Sequence, residues 1–180
     1  MDELWQKAKP SFERGDFSYL QELLGGPEGF DRKVIDWFES GVFDGEASML
    51  AEALSCACFL GRTKLVEFLL DHGVDPAAGD GTGLSGFHWA ADRGNLETVR
   101  LLIERGAPLE QKNMYDGTVL GCTLWSSIYE SRPAHAAIVE ALVDAGAEIE
   151  PGTAEWWEQQ PVPSSETKRR VLIALRSAAP

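Results

Sequence analysis

Three polar residues stand at a spacing that could do chemistry. Ser85, His88 and Asp92 lie at i, i+3 and i+7, so a helix carrying them would gather a hydroxyl, an imidazole and a carboxylate on one side, as a hydrolase triad does. Nothing around Ser85 resembles a strained nucleophile elbow or an oxyanion hole. Gly81-x-Gly83-x-x-Gly86 overlaps this stretch and satisfies a dinucleotide-binding pattern, but no strand precedes it and no parallel β-α-β unit surrounds it; its glycines suit a tight turn. Cys56-x-Cys58 lacks a second pair to complete a zinc site, and residues two apart on a helix point in different directions. These two and Cys122 read as small buried thiols. His72, before Gly73, sits where a helix C-terminus favours a partly positive ring, and His135 is remote from the other two histidines. Asp71 with Asp75, and Glu148 with Glu150, read as solvated helix ends, and Lys168-Arg169-Arg170 as a solvated face of the last helix. The expectation is no catalytic set, no metal and no cofactor.

The elements that position these residues recur. Ser55 to Gly61, followed by Val66-x-x-Leu69-Leu70-x-x-Gly73, returns at an offset of 33 residues as His88 to Gly94 and Val99-x-x-Leu102-Ile103-x-x-Gly106. Ala57 falls on Ala90 and Gly61 on Gly94, and each unit reads as two short amphipathic helices with glycine stops. A fixed period of this size marks a stacked-repeat architecture, in which each unit buries its apolar face on its neighbours.

A third unit keeps the register in its first helix, where Thr118, Leu120 and Leu124 follow Ser85, Phe87 and Ala91 by 33 residues. Its second-helix residues Val139, Leu142 and Gly146 lie 40 beyond Val99, Leu102 and Gly106, so seven residues are inserted between Leu124 and Val139. The segment at about 126–135 extends the first helix, lengthens the loop, or both, with Pro133 as a boundary. Both ends read as caps. Leu4 to Arg14 and the stretch around Leu20, Leu23 and Leu24 form a first pair, and Arg32 to Ser40 an extra helix. Ala154 to Gln160 and Thr167 to Ser177 form the last pair. Trp5, Trp37, Phe38, Trp156 and Trp157 are expected to fill these caps. The single repeat domain then divides into 1–46, 47–79, 80–112, 113–152 and 153–180.

Gly83-x-Ser85-Gly86-Phe87-His88-x-Ala90-Ala91-x-x-Gly94 and Val99-x-x-Leu102-Ile103-x-x-Gly106-Ala107 resemble the ankyrin consensus, with Gly86 in the place of the usual proline. Residues 54 to 147 are similar to bacterial ankyrin-repeat proteins. The resemblance implies an all-α solenoid of stacked helix-turn-helix units with N- and C-terminal capping helices, in which Ser85 and His88 hydrogen-bond the turn to the helix, and Ala90, Ala91, Gly94 and Gly106 are structural. It also implies that turn tips and first-helix ends line a concave face that meets the partner. Carried over unit by unit, these positions are Phe59 and Leu60; Thr82, Leu84, Asp92 and Arg93; and Met114, Tyr115, Trp125, Ser126 and Tyr129. Phe59, Leu60 and Trp125 either anchor a partner or lie under the extra helix and the insertion.

Charge sorts the partners. With 29 acidic and 16 basic residues the net charge is −13, which opposes nucleic acid and anionic membranes and favours a basic protein or peptide. The first residues have neither the basic end nor the apolar stretch of a secretory signal, and no apolar run approaches a membrane span of roughly 18 residues. The sequence therefore predicts a cytoplasmic, monomeric, non-catalytic protein-binding module. The alternatives are an inhibitor or immunity-type protein blocking a basic enzyme, and a small-molecule or hydrolytic groove centred on Ser85 and His88.

Overall fold

The structure, a computed structural model, describes residues 3–80 and 82–178. Among these residues the chain forms eleven α-helices and no extended strand, the one isolated bridge being Gly79 with Ser85. Helices α1 (Glu3–Glu13) and α2 (Phe17–Leu23) form a first pair, followed by α3 (Gly26–Glu39). Three further pairs are α4 (Ala47–Phe59) with α5 (Thr63–Asp71), α6 (Gly86–Asp92) with α7 (Leu96–Glu104), and α8 (Val119–Tyr129) with α9 (His135–Asp144). The chain closes on α10 (Thr153–Gln159) and α11 (Ser165–Ser177).

Neighbouring pairs stack in two layers. Helices α1, α4, α6 and α8 follow one another in one layer, and α5, α7, α9 and α11 in the other. Leu54, Ala57, Val66 and Leu69 of one pair, Ala90, Ala91, Val99 and Leu102 of the next, and Leu124, Val139 and Leu142 of the third belong to one continuous core. The same helix ending recurs along the stack. Gly61 and Gly94 adopt φ of 66° and 77°, a left-handed conformation that an L side chain rarely takes. Their amides, with those of Arg62 and Asn95, return to Cys58 and Ala57, and to Ala91 and Ala90, at 2.8–3.2 Å. This is the paired bonding of a Schellman stop, which turns the chain for the second helix.

Gly86 has a packing reason. A Cβ there would lie 2.9 Å from the Cys58 sulfur, so the thiol that stands in α4 where α6 has Ala91 fits because α6 begins without a side chain. Burial pushes both the Cys56 and Cys58 thiols well above the ordinary value of 9.0, which keeps them protonated. Ion pairs run between neighbouring elements: Arg62 with Asp31 of α3 at 2.6 Å, Arg105 with Asp71, and Arg170 with Glu140 at 2.5 Å.

Three expectations need correction. Helix α3 begins at Gly26, six residues before Arg32, because Pro27 occupies the first turn, where its missing amide donor is no loss. Lys168 and Arg170 are not a free cationic face: Lys168 donates to the Gln160 carbonyl at 2.7 Å, and Arg170 grips Glu140 with two nitrogens. Trp157 is fully buried and donates to the Lys168 carbonyl, whereas Trp156 stays exposed instead of filling the cap. Trp5 does fill the opposite cap, edge-on to Trp37 and Phe43.

Candidate functional site

The Ser85–His88 pair is the first site that the geometry decides. Ser85 caps α6, and both residues are buried, at 2% and 0% exposure. The imidazole Nε2 donates to the Gly117 carbonyl at 3.2 Å, so Nδ1 is the acceptor, taking the Ser85 amide at 3.3 Å and the Ser85 hydroxyl at 2.8 Å. The Ser85 hydroxyl and Nδ1 are spent on the cap of α6, Nε2 joins that cap to the turn before α8, and the hydroxyl is buried. Asp92 is not its third member. It accepts the Ser126 hydroxyl at 2.5 Å through Oδ1, and its own carbonyl accepts from His135 Nε2 at 3.0 Å. Gly81 of the glycine pattern lies outside the described residues. Gly83, at φ 80°, leaves space that Met114 fills, and the Met114 amide donates to its carbonyl at 3.0 Å.

His135 repeats the arrangement in the insertion. The Arg132 amide donates to its Nδ1 at 3.2 Å while Nε2 reaches back to Asp92, so a buried imidazole again joins two units. The three-residue spacing of Arg132 to His135 matches that of Ser85 to His88 and was the available signal, although a backbone amide stands in for the serine. Burial lowers the pKa of both imidazoles below the ordinary 6.5, partly offset by their backbone acceptors. The insertion both lengthens α8 to Tyr129 and enlarges the loop before α9.

The turns before α6 and α8 share a second brace. Asp80 accepts from the Thr82 amide at 2.8 Å and from the Trp89 indole at 2.8 Å. One repeat later Asn113 accepts from the Tyr115 and Gly117 amides at 2.9 and 3.0 Å, and its Nδ2 donates to the Cys122 sulfur at 3.0 Å. The partner has changed size: where α6 places His88 and Trp89, α8 places Gly121 and Cys122. A groove of about 650 Å³ opens there, with Leu84, Tyr115, Gly121, Cys122, Trp125 and the Asp92–Ser126 pair on its walls. Burial pushes the Cys122 thiol up to about 11, so the groove floor holds no thiolate at neutral pH.

The positions expected to face a partner fall into two groups. Tyr115, Trp125, Tyr129 and Met114 are exposed, at 77, 54, 63 and 64%, and the Trp125 and Tyr129 rings meet at 4.6 Å, tilted by 39°. Leu84 and Asp92 line the same groove. Ser126 is buried with its hydroxyl committed to Asp92, so it supports the groove rather than meeting a partner. Phe59 lies in another environment, edge-on to Phe17 at 5.5 Å and to Trp89 at 5.2 Å, with the Arg93 guanidinium 4.7 Å from its ring centre. Leu60 and Thr82 are half-buried in this end of the stack. Phe59 is thus closed over by Phe17 at the start of α2, whereas Trp125 touches Tyr129 of the insertion and still stays 54% exposed.

Stacked helical pairs, projecting turns and an open groove along the inner helices define a repeat-protein recognition scaffold. Comparison with known families matches ankyrin repeats, in three copies, over residues 13–113 and 54–152. The chain belongs to the ankyrin-repeat family, and its architecture is that of a protein–protein interaction module. Among the described residues no helix is long and apolar enough to cross a membrane, and no group of three or more His, Cys, Asp or Glu could hold a metal ion.

Proposed function

We propose that this protein is a non-catalytic module that binds a peptide segment of a protein partner in the groove between the second and third repeats. The observation that carries the reading is the exposure of Trp125 and Tyr115 on the walls of a groove that Gly121 and Cys122 also line, with exposed Tyr129 beside Trp125. Exposed aromatic rings beside a recess are the side chains that anchor interfaces, since they bury large area with few rotatable bonds. Rigid stacked helices present them with little entropy lost on association. The committed state of Ser85 and His88 argues against hydrolysis in the same groove.

Selection from a displayed random-peptide library tests the proposal. Binders are expected to enrich on the wild-type chain and to lose at least tenfold in affinity on the Trp125→Ala plus Tyr115→Ala variant. Equal affinity for both chains would remove the groove from the interface. The net charge of −13 supports a second reading, an inhibitor that covers a basic enzyme, in which association is steered by charge. That reading requires on-rates that fall steeply with salt, and salt-independent association would count against it.

A further inference from the structure

Residues 59, 92 and 125 stand at one position of successive repeats, held by Phe59, Asp92 and Trp125. The chain completes the first of these sites itself, because Arg93 lays its guanidinium 4.7 Å from the centre of the Phe59 ring. At Trp125 the aromatic ring is present and the cation is not: among the described residues no lysine or arginine lies over it. Arg93 and Arg132 both reach Glu130 instead, at 3.7 and 3.5 Å. The one charged residue on the groove wall is Asp92. Ser126 occupies its Oδ1, and among the described residues no donor is assigned to Oδ2.

We propose that the groove takes an arginine side chain of the partner peptide, its guanidinium stacked on Trp125 and hydrogen-bonded to Asp92. This rests on the reading of the groove as a peptide-binding surface and names the class of residue it selects. A guanidinium is planar, weakly hydrated and permanently charged, so it satisfies an aromatic face and a carboxylate together. An apolar side chain would bury the Asp92 carboxylate against carbon with no new partner. A lysine would supply the charge as a strongly hydrated point without the planar stack. The sign also agrees with a chain of net charge −13.

The test uses the full chain and three uniform probes: the N-acetyl amides of arginine, lysine and leucine. Each is titrated while the Trp125 indole resonance is followed by NMR, the resonance being assigned with Trp125→Phe. Arginine amide is expected to shift Trp125 saturably and to bind at least fivefold more tightly than either other probe. Asp92→Asn, which keeps an oxygen for Ser126, should weaken arginine amide by at least threefold and leave leucine amide unchanged. A Trp125 shift as strong with leucine amide overturns the arginine assignment while leaving an apolar peptide groove in place. Arginine binding unaltered by Asp92→Asn overturns it as well, as does a Trp125 resonance that none of the probes moves. Failure of the peptide-groove reading itself has a different signature: library binders whose affinity ignores Trp125 and Tyr115.

Discussion

Phe59 and Trp125 hold the same position in the first and third repeats, and their surroundings are opposite. Around Phe59 the chain supplies Phe17, Trp89 and Arg93, and the ring is part of the structure. Around Trp125 the equivalents of His88 and Trp89 have become Gly121 and Cys122, and the ring faces solvent beside a groove. Position in a repeat therefore does not decide whether an aromatic residue is core or surface. The rings that other elements bring to it decide it: Phe17 and Trp89 close over Phe59 from α2 and α6, whereas Trp125 meets Tyr129 of its own helix.

The strongest break of this contrast is to truncate both rings. Phe59→Ala removes a ring that three neighbours enclose and should destabilise the fold by about 3 kcal/mol. Trp125→Ala removes a half-exposed ring that meets only Tyr129 among the aromatic rings of the described residues and should cost less, about 0.5–1 kcal/mol, while weakening peptide binding. Urea unfolding of the two variants at one pH checks the pair. Equal losses would mean that Trp125 is structural and that the two ends of the concave face do not differ.

That contrast was only half legible in the sequence. The 33-residue period placed the glycine stops, the core positions of each pair and the equivalence of Phe59, Asp92 and Trp125, because all of these depend on local spacing. The partner of Phe59 was not accessible in the same way. Phe17 belongs to a divergent first pair, and only tertiary packing brings it to the end of α4. The start of α3 was hidden by Gly25, Gly26 and Pro27, a run that signals a turn and equally permits a helix to begin. The groove was hidden for a subtler reason. Its cause is the absence of two large side chains at Gly121 and Cys122, and a pattern search built on matches passes over a loss of volume.

Acid should act on the open half first. His88 holds Gly117 on the groove wall and His135 holds the Asp92 carbonyl, so both inter-repeat imidazoles belong to the end that contains the groove. His88 faces Asp80, Ser85 and Gly117, and His135 faces Asp92, Arg132 and Glu130. Both are neutral in the fold with a pKa below the ordinary 6.5, so the unfolded chain binds protons that the folded chain refuses. Stability is then insensitive to these groups above about pH 6.5 and declines as the pH falls below it. The Glu140 carboxylate, held below its ordinary 4.5 by Arg170, adds its own loss only at lower pH. The thermal midpoint followed from pH 7.5 to 5 should drop, and a His88→Gln plus His135→Gln variant should show a flatter profile. Amide exchange at pH 5.5 should rise in the turn before α8 before it rises in α4. An unchanged slope in the double variant would assign the acid sensitivity to other groups.

The smallest perturbation sharpens the contrast most. Arg93 is partly exposed, and its contact with the Phe59 ring is worth about 0.5–1 kcal/mol. Arg93→Ala should therefore leave the fold intact while giving Phe59 what Trp125 has, an aromatic face with no cation over it. If the two sites differ only in whether the chain supplies its own arginine, N-acetyl-arginine amide should now bind near Phe59 as well as near Trp125, and should restore part of the lost thermal stability. Leucine amide should restore none, because the gap left by Arg93 lies over a ring face that attracts positive charge. A variant that gains no arginine response at Phe59 would show that Phe17 and Trp89 alone close that end, and that the resemblance between the two positions stops at their register.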